Sequence, residues 1–385
     1  MEHEAHRDLH LHVVSFNVPW PANYGGVIDV YHRLRTLAAR GVQIHLHCFA
    51  YGRPPAAELE SLCREVHYYE RDTSPLRFLT SAKPYIVSSR HSRQLLARLQ
   101  ADDHPVLFEG LHTCLYLTDL RRAQPSRTLL VRAHNVEHDY YALLSRSTSG
   151  WRAHYHAAEA RRLRRYEPVL REASCVLAVT EADAQHFRQL GCPSVCLMPS
   201  SHPFDTFSVR SGHGSYALYH ADLSVPENVE AALYLADKVF DEGDLPLILA
   251  GRNPAPAVVQ ATERHPNITL EPNPSDAHMQ QLIGEAHVCV LTTSQPTGLK
   301  LKLLQSLYGG RFCIVNSHMV AGTTLGKVCV VADTPAEMRQ ALHTLFAQPF
   351  TADDLNYRRL LMQERYDNQQ NATVLLEQIG RLHRP

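Results

Sequence analysis

Short apolar runs separated by amphipathic stretches of helical period recur along this chain, and they fall into two sets. Residues 11–16, 42–49, 105–108, 128–132 and 175–179 form the first; residues 216–220, 245–250, 268–270, 288–291, 312–315 and 328–331 form the second. Runs that are apolar throughout suit strands buried on both faces of a parallel sheet, which helices cover above and below. Strand and helix in alternation make βα units, so two sets predict an α/β chain of two doubly wound, Rossmann-like domains. The length of 385 residues agrees, because a single core rarely grows beyond about 250–300 residues. The expected boundaries are a first domain over 1–199, a linker over 200–215 rich in Ser, Gly, Pro and His, a second domain over 216–360, and a helical segment over 361–385 that packs back on the first domain.

Lys and Arg number 38 against 39 Asp and Glu, so no overall field draws the chain to nucleic acid or to an anionic membrane. Nine scattered cysteines without metal-type pairing, and a polar, His-rich start lacking an apolar signal core, point to the reducing cytoplasm. No run of 18 apolar residues exists, which restricts any membrane contact to a peripheral one.

Open α/β sheets bind ligands beyond the carboxyl ends of their strands, so two such domains facing each other would line a cleft. The loop after the first run ends in Asn23-Tyr24-Gly25-Gly26, before a helical stretch over 27–40. Paired glycines let a backbone approach a phosphate closely, although a tight strand-to-helix turn needs them too. The spacing is not that of a dinucleotide fingerprint and no acid closes the second run, which argues against a nicotinamide cofactor. In the second domain, Thr297-Gly298-Leu299-Lys300-Leu301-Lys302 runs into a helix through Gln305 to Gly310. A glycine turn, a helix N-terminus and two ammonium groups two residues apart favour an anion; the plainer alternative is a helix cap with a solvated lysine face.

The Gly-Gly turn, Arg132-Ala133-His134-Asn135-Val136-Glu137-His138-Asp139, Ala178-Val179-Thr180-Glu181-Ala182-Asp183 and the 297–310 segment together resemble glycosyltransferase family 4, whose fold is GT-B, over nearly the whole chain. The resemblance implies a retaining, metal-independent transfer of a sugar from a nucleotide diphosphate to a glycan or lipid-linked acceptor, in cell-surface polysaccharide synthesis, with no further cofactor. It implies catalytic roles for His134, which would contact the donor sugar, and for Lys302, which would hold the diphosphate. Gly25, Gly26, Arg252, Thr297, Gly298, Leu299, Lys300 and Gln305 would complete the donor site. Acceptor contacts would come from Asn17, Tyr24, Glu109, His112, Asn135, Glu137 and His138. Four positions depart from the pattern. Thr297 and Gln305 stand where relatives carry two acids, and an ungapped comparison puts Asp222 and Asn228 where many carry an Arg and a Lys. A neutral amide makes weaker bonds than a carboxylate, and an aspartate repels a diphosphate. The alternative is therefore a catalytically weak or inactive scaffold that binds a nucleotide sugar or a glycan; nucleotide-sugar epimerisation on the same fold is a third possibility.

His10-Leu11-His12 and His45-Leu46-His47 each put two imidazoles on one strand face, which a metal or simply solvent-facing strand ends would explain. Cys192-Pro193-Ser194-Val195-Cys196 reads as a structural loop. The stretch 151–171 carries Arg161, Arg162, Arg164, Arg165 and Arg171 with Tyr155 and Tyr166, suited to anionic head groups or to a solvated face balanced by Glu159, Glu167 and Glu172.

Overall fold

The computed structural model describes residues 8–74, 81–241, 243, 245–296 and 298–382. The chain divides into two compact units, the first running to Pro203 and resuming at Arg365, the second spanning Phe204–Glu364.

The first unit is built on strands β1 (His10–Ser15), β2 (Gln43–Ala50), β3 (Glu65–Glu70), β4 (Val106–Glu109), β5 (Leu129–Ala133), β6 (Cys175–Ala178) and β7 (Val195–Leu197). They form one parallel sheet in the order β3-β2-β1-β4-β5-β6-β7. Side chains alternate across it: Val106 and Phe108 join one buried cluster and Leu107 the other, and Val131 and Leu130 divide likewise. Both faces are thus covered, which is why the central runs read as continuously apolar. Two edge strands, β3 and β7, escaped the pattern. β3 (EVHYYE) is polar along much of its length, and β7 has only three residues.

The second unit has strands β8 (Ala217–Asp222), β9 (Leu247–Arg252), β10 (Ile268–Pro272), β11 (Val288–Leu291), β12 (Phe312–Val315) and β13 (Val330–Val331), ordered β10-β9-β8-β11-β12-β13 and all parallel. Strand order reverses between β1 and β4 in one sheet and between β8 and β11 in the other, the two switch points at which such sheets bind ligands.

The terminal helix Asn368–Leu382 groups with the first unit. Leu375 and Ile379 share a buried cluster with Leu34 and Leu37 of the helix Gly25–Ala39, and Arg40 reaches across to Gln369 and Thr373. Residues 200–215 are tied down on both sides. The Ser201 N–H donates to Asp29 and His202 is buried in the first unit, while Gly212 bridges Phe350 in the second.

Two sequence expectations change here. The paired histidines do not face solvent: β1 lies beside β2 with His12 opposite His45, and His12 and His47 are buried. His12 Nδ1 meets His47 Nε2 at 2.9 Å, His12 Nε2 meets Asp102 at 3.1 Å, and His47 Nδ1 meets the Tyr69 hydroxyl at 2.9 Å. A parallel chain joins His10 to His45 at 2.8 Å and His45 to Glu65. The second change concerns the helix Trp151–Tyr166 and the short 3-10 helix Glu167–Glu172 that follows. Glu159 and Glu167 do not lie on a solvated face. Both are buried, Glu159 accepting the Ile86 N–H at 2.9 Å with Arg162 3.8 Å away. Among the described residues, no helix is long and apolar enough to cross a membrane.

Candidate functional site

At the carboxyl ends of β4 and β5, Glu109 and Arg132 sit in register, both fully buried. A strand buried on both faces tolerates a guanidinium only if its donors are met. Arg132 donates to Asp29 through Nε and Nη2, each at 3.1 Å, and to the Met198 carbonyl. Asp29 and Arg33 stand one turn apart on the helix Gly25–Ala39 and are bonded to each other at 3.1 Å, and Arg33 grips Glu109 in a two-pronged contact at 3.1 and 2.9 Å. Burial works against the Asp29 charge, but Arg132, Arg33, His134 and the Ser201 N–H outweigh it and hold the carboxyl well below the usual range.

His134 closes this network. Its Nε2 lies 3.1 Å from Glu109 and its Nδ1 3.4 Å from Asp29, so both ring nitrogens face carboxylates and the ring plane is fixed. The Phe16 ring meets it edge-on, with centroids 5.5 Å apart. Gly110 is required beside it. Its φ is +77°, and a Cβ there would stand 2.8 Å from His112 Nδ1 and 3.4 Å from His134 Cδ2. Among the described residues His112 Nδ1 is buried without a hydrogen-bond partner, 3.8 Å from Glu137 Oε1. Burial, with Glu167 and Asp183 adding to it, pushes the Glu137 carboxyl up to about 8, leaving a neutral acid at the first position of the helix Glu137–Ser147.

Of the residues expected to meet an acceptor, Glu109, His112 and Glu137 therefore gather around His134. Glu109 does so as a buried partner that orients the imidazole. Asn17 bonds Tyr24 at 3.4 Å at the mouth of the β1 loop, where Tyr24 is exposed beneath the Arg53 guanidinium. Asn135 is half-buried in the bend after β5. His138 is turned elsewhere, its nitrogens 3.2 Å from Glu167 and 3.3 Å from Asp139. Gly25 and Gly26 open their helix, which begins two residues earlier than the apolar pattern suggested; a Cβ on Gly26 would stand 2.8 Å from the Phe16 ring.

In the second unit the helix Leu301–Gly309 starts with Lys300 at its N-cap and Gly298 in a left-handed turn ahead of it. Lys300 and Lys302 are half-buried, and Lys302 Nζ donates to Asn228 Oδ1 at 3.0 Å while lying 5.3 Å from the Tyr219 ring centroid. Burial pulls the Lys302 ammonium down to about 8, with Glu227 opposing and Lys300 assisting the fall. Asn228, one of the departures noted above, is thus the lysine's direct partner. Asp222 accepts from Ser224 instead. Leu299 and Gln305 flank the lysines, half-buried, and Arg252 is exposed at the end of β9. Thr297 lies outside the described residues. Glu227, hydrogen-bonded by Thr293, also borders a cavity of ≈ 270 Å³ at the carboxyl ends of β11 and β12 whose other walls include Asn316, His318 and Asp333.

Sequence reasoning missed Asp29, Arg33, Arg132 and Glu227 as site components. Arg132 alone among them carried a signal, a charge inside an otherwise apolar run.

Residues 24–200 match the family described as Glycosyltransferase Family 4. A 44.6 kDa protein in the cps region of Klebsiella pneumoniae is 25% identical over 343 residues, covering 83% of this chain and 87% of that one. Among solved structures, Anabaena Alr3699/HepE in complex with UDP superposes with a TM-score of 0.65 at 14% identity, over 97% of this chain and 99% of the other. A glycosyltransferase from Rickettsia africae gives 0.63 at 12% identity, over 98% and 99%.

Proposed function

Because residues 24–200 match the glycosyltransferase family 4 model within a chain of GT-B fold, we propose that the protein transfers a sugar from a nucleotide diphosphate donor to a glycan or lipid-linked acceptor. Transfer proceeds with retention and without a metal at the reacting centre. The carrying observation is His134, held between Glu109 and Asp29 at the switch-point side of the first sheet by a buried network of four charges. So costly an arrangement in a stable core is what a preorganised polar group requires. His134 orients the donor sugar. Lys302, with Lys300 and the N–H groups of the helix start, stabilises the charge that develops on the departing diphosphate. The leaving phosphate takes the acceptor proton on the same face, so no enzyme nucleophile is needed. The UDP complex of the Anabaena protein and the cps-region origin of the Klebsiella relative favour a uridine-type donor and a surface polysaccharide acceptor.

A second reading has a specific motive: Asp222, Asn228 and Gln305 leave the donor side short of charge, which suits binding without efficient transfer. Thermal shift against nucleoside diphosphates and their sugars tests both, since a ligand selective for the native state raises the melting temperature. Protection by at least one donor, abolished in Lys302→Ala, is expected. Equal protection in that variant removes Lys302 from the site, and donor binding with neither hydrolysis nor transfer selects the scaffold.

A further inference from the structure

His138, Glu167 and His186 form a second polar group, distinct in its partners from the His134 network. They come from three elements: the helix Glu137–Ser147, the 3-10 helix Glu167–Glu172 and the helix Glu181–Leu190. One ligand-type atom from each lies within 4.8 Å of the others. The His138 Nδ1 to Glu167 Oε1 distance is 3.2 Å, and His186 Nε2 to Glu167 Oε2 is 2.8 Å. Nitrogen and oxygen ligands about 2.0–2.2 Å from a tetrahedral zinc ion stand roughly 3.3 Å apart, so a small adjustment accommodates an ion.

Two further observations favour a cation here. Asp139 Oδ1 lies 3.3 Å from His138 Nε2, the nitrogen on the far side of the ring from Glu167. A ligating histidine characteristically donates its other N–H to a carboxylate, which turns the lone pair of the first nitrogen towards the ion. Glu167 is also buried with one carboxylate oxygen turned to each imidazole, so an ion bound there meets a negative charge already withdrawn from water. With Glu167 and His138 buried and His186 about 30% exposed, the group opens to solvent on the His186 side.

We propose that His138, Glu167 and His186 bind a divalent transition metal ion of the zinc type, with solvent in the remaining position and Asp139 as the outer partner of His138. Two imidazoles and one carboxylate suit zinc, nickel or copper better than magnesium or calcium. The ion pins the start of the helix that follows the His134 loop to the 3-10 helix and to the helix Glu181–Leu190. It stands outside the sugar-transfer chemistry and steadies the segment that carries His134.

The test uses the full-length protein stripped with a chelator and titrated with Co2+, then with Zn2+. One equivalent of Co2+ should bind with the visible d–d absorption of a four- or five-coordinate ion, and Zn2+ should displace it and raise the melting temperature. Asp139→Asn should weaken binding by about tenfold, and His186→Gln by more than that. His45→Gln, which alters the strand histidines, should leave Co2+ affinity unchanged. Melting temperatures in chelator report whether each variant folds. Absence of d–d absorption in the wild-type protein overturns the proposal, as does Co2+ affinity in His186→Gln equal to wild type, which would place the ion on other histidines.

Discussion

Acid should destabilise the first unit through His12, and the size of the effect follows from its surroundings. The ring is 3% exposed, stacked among other imidazoles and bonded to His47 and Asp102. Burial lowers its pKa from 6.5 to about 4; Asp102 opposes that fall and His45 and Arg127 add to it. The sign follows from proton uptake: between these values the unfolded chain binds a proton that the native ring does not, so stability is full above 6.5 and is lost as pH falls towards 4. At about pH 5 the unfolded imidazole is almost wholly protonated and the native one about one-tenth so, which removes about 2 kcal/mol from this ring alone. His47, held well below 6.5 by burial and then by His12, acts in the same sense. His186 acts in the opposite sense, raised by its bond to Glu167, but contributes equally to wild type and variant. Both tryptophans, Trp20 and Trp151, lie in the first unit, so urea unfolding followed by intrinsic fluorescence reports on that unit. Comparison of wild type with His12→Gln at about pH 7.5 and about pH 5 should show a pH-dependent loss smaller by about 2 kcal/mol in the variant. The variant's lower stability at both pH values is expected from its lost hydrogen bonds; only the slope counts. Equal slopes would refute the assignment of the acid sensitivity to this ring.

Nucleoside diphosphate affinity should weaken as pH rises through about 8, because the Lys302 ammonium that binds phosphate is lost there; calorimetric titration at several pH values would show it, and Lys302→Arg should flatten the profile. Arg132→Met should destabilise the first unit by about 3–5 kcal/mol, since it leaves Asp29 buried with one cation fewer; denaturant midpoints measure this, and a neutral outcome would mean that the network relaxes. Gly110→Ala should cost about 1–3 kcal/mol through its left-handed φ and the contact with His112, and should depress turnover more than donor affinity because the added methyl presses on the His134 side. Leu375→Ala should cost about 2–5 kcal/mol in the same fluorescence assay if the terminal helix is an integral part of the first core.

Periodicity is a local property, and everything that depends on it could be read from the residues in order. The continuously apolar runs announced parallel sheets covered on both faces, their two sets announced two units, and the glycine turn ahead of Lys300 announced a helix start. The resemblance that pointed to His134 is local in the same sense, because the residues that carry it follow one another in the chain. Contacts between distant positions leave no such trace. Asp29 and Arg132 are 103 residues apart in sequence and Glu109 and Arg33 are 76 apart, and only the β3-β2-β1-β4-β5 strand order and the helix laid across it bring them to one imidazole. Glu109 consequently looked like an acceptor contact and is a buried support. His138 looked like its neighbour in function and is committed to Glu167 and Asp139. The strand histidines looked solvent-facing because alternation alone cannot say what covers a face. The local sequence sets which elements can form; burial, and with it the charge state and partner of every polar group inside, is decided only when those elements close on one another.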